Sequence, residues 1–155
     1  MKTPTIETER LTLRVTTREE MTAAIAAAPC DELKQAYAEM LQCAEQSPEL
    51  WRWFAMWAIE LKDGTHVGDF SFKGLNPDGS VEIGYGIDDE FQGNGYATEA
   101  VGAATRWAAS EPGVTRVEAE TEPDNRASQR VLVKCGFVPT GAMGEEGPRC
   151  VSRGR

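Results

Sequence analysis

Between Phe91 and Ala100 the chain reads FQGNGYATEA, two glycines flanking an asparagine just before an alanine-rich helical pattern. A sharp turn needs one glycine or an Asn-Gly pair. Two glycines at alternate positions suit a backbone that another group approaches closely. The amides that open a helix lack intrahelical partners and sit at the positive end of its dipole. Bare glycines let an anion reach them, so a phosphate site is physically natural here. A turn closed by glycines needs no ligand, and both readings stand at this point.

Just upstream, VEIGYGI alternates with period two. Val81, Ile83, Tyr85 and Ile87 fall on one face of a strand, Glu82, Gly84 and Gly86 on the other. A carboxylate beside two missing side chains implies a groove floored by backbone, and Glu82 is a candidate general base. The alternative is a glycine-induced bulge beside a solvated glutamate. Glu118 and Glu120 share one face of a later strand and are second candidates for the base. Neither common nucleotide loop matches. The chain contains no Gly-Lys pair, and Gly93 and Gly95 fit a dinucleotide fingerprint whose third position is held by Thr98.

These residues need elements to position them. LTLRV, residues 11–15, reads as a strand, and helical patterns follow over 18–28 and 31–46, separated by Pro29. Ser47-Pro48 ends the second. Residues 53–61, 66–73 and 81–87 then read as three strands joined by turns at Asp63-Gly64 and Asn76-Pro77-Asp78-Gly79, an antiparallel meander. Residues 96–110 are helical, 114–121 a strand and 125–135 a helix, with Asn125 or Asp124 as its cap and Gly136 beyond its end. FVPTG starts a further strand, after which GAMGEEGPRCVSRGR leaves little room for a full final one. The strand–helix–strand unit over 81–121 calls for a parallel crossover. Trp51, Trp53 and Trp57, entering a strand, read as core rather than as pocket lining.

At 155 residues the chain is expected to be one mixed α/β domain, residues 1–155, large enough to fold without disulfides or metal. Cys30, Cys43, Cys135 and Cys150 show no close metal-ligand spacing and read as reduced thiols. The single histidine, His66, excludes a His-rich metal site and is placed at a strand edge. The net charge of −9 argues against nucleic acid and favours cationic partners such as amines. No apolar run reaches the roughly 20 residues of a membrane span. MKTPTIETER lacks the apolar core of a signal peptide, so a cytoplasmic protein is expected.

In joint order, ETERLTLR, VGDFSF, VEIGYGI, QGNGYATEA and NRASQRVLVKCGF resemble the GNAT superfamily of N-acetyltransferases, in particular its ribosomal-protein (RimJ/RimL-like) branch. The family's pyrophosphate loop, Arg/Gln-x-x-Gly-x-Gly/Ala, is matched by Gln92, Gly93, Asn94, Gly95, Tyr96 and Ala97, with Thr98 beside them. The resemblance implies a mostly antiparallel sheet of six to seven strands with about four helices, splayed open after the third meander strand to admit coenzyme A. It implies acetyl-CoA as co-substrate, no metal, and a primary amine as acceptor, on a protein N-terminus or a small molecule. The loop amides would hold the pyrophosphate and the backbone at Tyr85 and Ile87 the pantetheine arm. Glu82 matches the family's glutamate on this strand, and Asn125 and Ser128 its N-x-x-S pattern. Another branch has a tyrosine four residues before the Gly-Phe pair. Leu132 stands there, which leaves Ser128 as the candidate near the sulfur. Residues 18–46 and 139–152 would shape the acceptor pocket of a monomer or homodimer. A non-catalytic coenzyme A-binding module with the same fold is the alternative.

Overall fold

A computed structural model describes residues 4–145 and 147–152. The chain starts with β1, Thr5–Glu7, and β2, Leu11–Val15, followed by α1, Arg18–Ala27, and α2, Asp31–Gln46. A capping box opens α1. The Thr17 hydroxyl accepts the Glu20 N–H at 3.1 Å, and the Glu20 carboxylate accepts the Thr17 N–H at 3.0 Å. Arg14 on β2 holds that same carboxylate at 2.8 Å and Glu60 at 2.9 Å, which fixes the helix against the sheet.

Residues 53–61 depart from the single strand expected of them. A short helix, α3, covers Trp51–Phe54, and β3 is confined to Trp57–Leu61. An apolar run this short does not distinguish the two periods. Coiling its first turn lets Trp51 Nε1 donate to the Thr16 carbonyl at 2.9 Å and the Ala55 N–H reach the Trp51 carbonyl at 2.8 Å. It also turns Trp53 inward. Trp53, Trp57, Phe72 and Trp107 then pack with ring centroids 5.1 to 5.7 Å apart, the core of the domain.

β4, His66–Ser71, and β5, Ser80–Ile87, complete the meander, and α4, Tyr96–Ala109, crosses over to β6, Arg116–Glu120. Ala100, Ala104 and Ala108 are fully buried on one stripe of α4. Their small side chains bring the helix axis close to the sheet. α5, Arg126–Lys134, precedes β7, Phe137–Met143, and β8, Pro148–Ser152. The sheet order is β1-β2-β3-β4-β5-β6-β8-β7, antiparallel except for the β5–β6 pair.

This is the mixed fold expected, with eight strands and five α-helices among the described residues where six to seven and about four were anticipated. The three-residue β1 and the one-turn α3 are too short to carry a period. The last strand is a correction. β8 is complete and lies between β6 and β7, bonding to both. In the turn before it Gly147 lies against the Thr121 carbonyl, where no Cβ would fit, and Gly144 lies against the Glu120 carboxylate. Glu146, in the acidic segment expected to meet a cation, lies outside the described residues, as do Arg153 and Arg155. Among the described residues no helix is long and apolar enough to cross a membrane.

The hydrogen bonds from Arg14 hold the Glu20 carboxyl down at about 2, against an ordinary value near 4.5. A depressed carboxyl stabilises the fold above its unfolded value, and that contribution disappears as pH falls from about 4.5 towards 2. Glu20→Gln is therefore expected to flatten the loss of urea midpoint between pH 5 and pH 3 (about two units) relative to wild type, with little change in the m-value. Parallel curves for the two proteins would refute the pairing.

Candidate functional site

β5 is shared between two half-sheets. Ser80–Ile83 pair with β6, whereas Gly84–Ile87 pair with β4, so beyond Ile83 and Ala119 the strands β5 and β6 part. The Asp88 N–H bonds the Val67 carbonyl at 2.8 Å, and antiparallel pairs alternate between bonded and non-bonded. Counting back along the register, Gly86 and Gly84 face β4, and the N–H and C=O groups of Tyr85 and Ile87 face the gap. The Ile87 carbonyl is met there by Gln92 Nε2 at 2.9 Å.

A cleft of about 500 Å³ occupies this gap. Tyr85, Gly86 and Ile87 form one wall, and Gln92, Gly93, Gly95, Tyr96, Ala97 and Thr98 form its end at the start of α4. Asn94 is turned out of it, with its side-chain amide on the Phe91 carbonyl at 2.9 Å. Gly93 and Gly95 both have φ of +83°, the left-handed region that disfavours any side chain. Backbone conformation alone thus demands both glycines. The space over Gly93 is open as well, since a Cβ there would meet nothing within 4 Å.

Arg10, between β1 and β2, holds the loop from behind. Its guanidinium donates to Glu99 at 2.7 Å and to the Asn94 carbonyl at 2.9 Å, and it lies 4.7 Å over the Tyr96 ring. Glu99 also accepts from the Arg10 N–H at 2.9 Å and from the Thr8 hydroxyl at 2.5 Å. The sequence reading missed Arg10 and Glu99 as a pair. The available signal was an arginine in a short turn and an acidic residue in the first turn of a helix, neither with a local partner.

α5 forms the opposite wall. Asn125 caps it, its Oδ1 accepting the Ser128 N–H at 3.1 Å. Ser128 is half-buried, and its Oγ lies 2.6 Å from the Tyr85 hydroxyl, bridging the gap between β5 and α5. Burial pushes the Tyr85 phenol above its ordinary value, with the Ser128 hydrogen bond pulling against it. Leu132 is buried, 3% exposed, and contributes no polar group. Arg130 and Lys134, one turn apart, line the cleft as cations. Strong acidity of the whole chain concealed this local positive wall.

Glu82 stands elsewhere. It does not line that cleft but lies on the other face of β5, with Gly84 and Gly86. Parallel register sets Glu82 beside Glu118, and with Glu120 all three candidate carboxylates converge on Arg149 of β8. Arg149 donates to Glu82 at 3.3 Å, to Glu118 at 2.8 Å, and to Glu120. Lys73 approaches Glu82 at 3.2 Å. Its stem lies across Gly84, so the backbone floor expected beside Glu82 is covered there and open only at Gly86. The Arg149 cluster was not foreseen, because β8 was not.

Comparison with known proteins gives three findings. The model of the acetyltransferase (GNAT) domain matches residues 3–138. An uncharacterized N-acetyltransferase of Bacillus subtilis, YoaA, is 32% identical over 152 residues, spanning 90% of this chain and 86% of that protein. Among solved structures, the ribosomal-protein acetyltransferase RimL in complex with coenzyme A superposes with a TM-score of 0.70 at 19% identity, covering 96% of this chain and 95% of that one.

Two glycines separate conformation from access. Gly93→Ala forces a side chain into the left-handed region and is expected to cost about 1–2 kcal/mol of unfolding free energy. Gly86 has neither a positive φ nor a neighbour within 4 Å of a Cβ, so Gly86→Ala should change stability by less than about 0.5 kcal/mol. Denaturant melts of the two variants check this; equal costs would refute the distinction.

Proposed function

The chain belongs to the GNAT acetyltransferase family, and from that premise we propose that it transfers an acetyl group from acetyl-CoA to a primary amine by direct attack in a ternary complex. The observation that carries this reading is the cleft between β5 and α5. It combines unpaired amides at the start of α4, two cations on α5 and a strand edge turned into the gap. Amides and dipole suit the pyrophosphate, Arg130 and Lys134 add charge, and the edge at Tyr85 and Ile87 offers hydrogen bonds to an extended amide-bearing arm. RimL, of the same fold, is a ribosomal-protein acetyltransferase solved with coenzyme A. A relative in Escherichia coli, 28% identical over 93 residues, is a ribosomal-protein-serine acetyltransferase. Both support a protein N-terminal α-amine as acceptor, and a small primary amine presents the same nucleophile.

The thioester supplies the acetyl group; the ammonium loses two protons, one before attack and one from the tetrahedral intermediate, and the departing thiolate takes up the second. An ammonium has no lone pair, so the amine must lose a proton at a cost of about 1.4 kcal/mol per unit of its pKa above ambient pH. An α-amine near 8 makes that a small burden and a lysine-type amine near 10.4 a larger one. Glu82 takes this proton through a water. Its contacts with Lys73 and Arg149, 3.2 and 3.3 Å, are long for charge-assisted bonds and leave its oxygens room for a third partner. Glu118 and Glu120, held closer to Arg149, rank second. The departing thiolate, with a thiol pKa near 8.5, is a fair leaving group. The Tyr85 phenol, raised above its ordinary value of 10, keeps its proton and gives the sulfur a hydrogen bond together with Ser128.

Thermal unfolding with acetyl-CoA, CoA, ATP and NAD at matched concentration tests the site. At 100 times its dissociation constant a ligand adds about 2.7 kcal/mol, roughly 5–10 °C for a domain of this size. Rises with acetyl-CoA and CoA alone are expected; none with either would overturn the reading. Glu82→Gln should lower turnover at least tenfold (about 1.4 kcal/mol) with the acetyl-CoA shift intact. The shape of its pH–rate profile should change, and an unchanged profile would exclude Glu82 as the base.

A further inference from the structure

A second recess, about 250 Å³, lies on the face of the sheet opposite Tyr85's side chain and touches the first cleft at Tyr85 and Gly86. Tyr37 and Met40 of α2 and Met56 roof it, and Asp69 and Ser71 of β4 floor it. None of residues 139–152, expected to shape an acceptor pocket, contributes. The recess is apolar along α2 and carries a single carboxylate, Asp69, among its lining residues. Asp69 faces Gly86 in register, one inter-strand spacing (about 5 Å) from the backbone that borders the split.

Resting on the transferase reading above, we propose that this recess receives the acceptor, and that Asp69 selects amines bearing a second cationic group a few carbons from the reacting nitrogen. Its Oδ1 lies 3.1 Å from His66 Nε2, and His66 Nδ1 lies 3.4 Å from Asp88, so one of its two oxygens is engaged by an imidazole. Its Oδ2 has no hydrogen-bond partner among the described residues. Burial pushes the Asp69 carboxyl up, against the pull of the His66 hydrogen bond. The Tyr37 phenol is raised as well, first by burial and then by the charge of Asp69. A half-buried carboxylate whose charged form is disfavoured in this way gains from a cation placed beside it. The methylenes of the acceptor pack against Met40 and Met56, unbranched side chains that adapt to irregular shapes. Charge and shape thus act on different parts of one substrate.

Acetylation of 1,4-diaminobutane and of butylamine, which differ by one ammonium group, tests the proposal. The wild-type protein is expected to favour the diamine about tenfold in kcat/KM, mainly through KM. Asp69→Asn, close to isosteric, should bring the ratio near one, chiefly by raising KM for the diamine, while leaving the acetyl-CoA thermal shift unchanged. Asp69→Glu should restore part of the preference. A wild-type ratio near one, which needs no variant to fold, or a ratio that survives in Asp69→Asn, overturns the proposal and leaves the transferase reading standing. No turnover with any amine, despite a coenzyme shift, overturns both.

Discussion

Everything at this site follows from one strand serving two sheets. β5 gives its first half to β6 and its second half to β4. A strand paired on one side leaves the other row of N–H and C=O groups unmet, and buried backbone groups of that kind are costly. Here they open onto a cleft, where Gln92 meets one of them and a bound extended chain would meet others. The parallel crossover through α4 fixes the geometry. It delivers a helix N-terminus to the very end of the strand that has just lost its neighbour, so strand edge and helix amides converge without any long loop.

Charge is distributed in the same economical way. The chain is acidic overall, yet Arg130 and Lys134 face the cleft, and Arg10 holds the loop from behind. On the far face Arg149 gathers three carboxylates contributed by β5 and β6. These carboxylates would repel one another without it. The price of separating the two faces is that the candidate base and the hydroxyl pair, Tyr85 and Ser128, approach the transfer point from opposite sides of the sheet. The parting of β5 from β6 is what lets those two sides communicate.

The glycines of the loop have two sufficient causes. Their left-handed φ requires glycine even with nothing bound, and the open space over Gly93 would admit a ligand. A sequence motif reports only that a side chain is missing. Only the folded backbone separates conformation from access.

Local physics made much of this protein legible from sequence. Helical spacing placed α1, α2 and α4, Asn125 or Asp124 and Gly136 marked the ends of α5, and the crossover implied the parallel pair. The alternation in VEIGYGI put Glu82 and Tyr85 on opposite faces before any coordinate did. What sequence could not give were contacts between distant residues. Arg10 and Glu99 are 89 positions apart, Tyr85 and Ser128 43, and Arg149 and Glu82 67. Nor did it reveal α3, whose one turn is shorter than a resolvable period, or β8, which inserts between β6 and β7 after two glycines that lie against Glu120 and Thr121. Periodicity is a property of neighbours along the chain, so it determined the elements. Which side chains meet across the cleft depends on how those elements close in space, and the tertiary structure alone decided that.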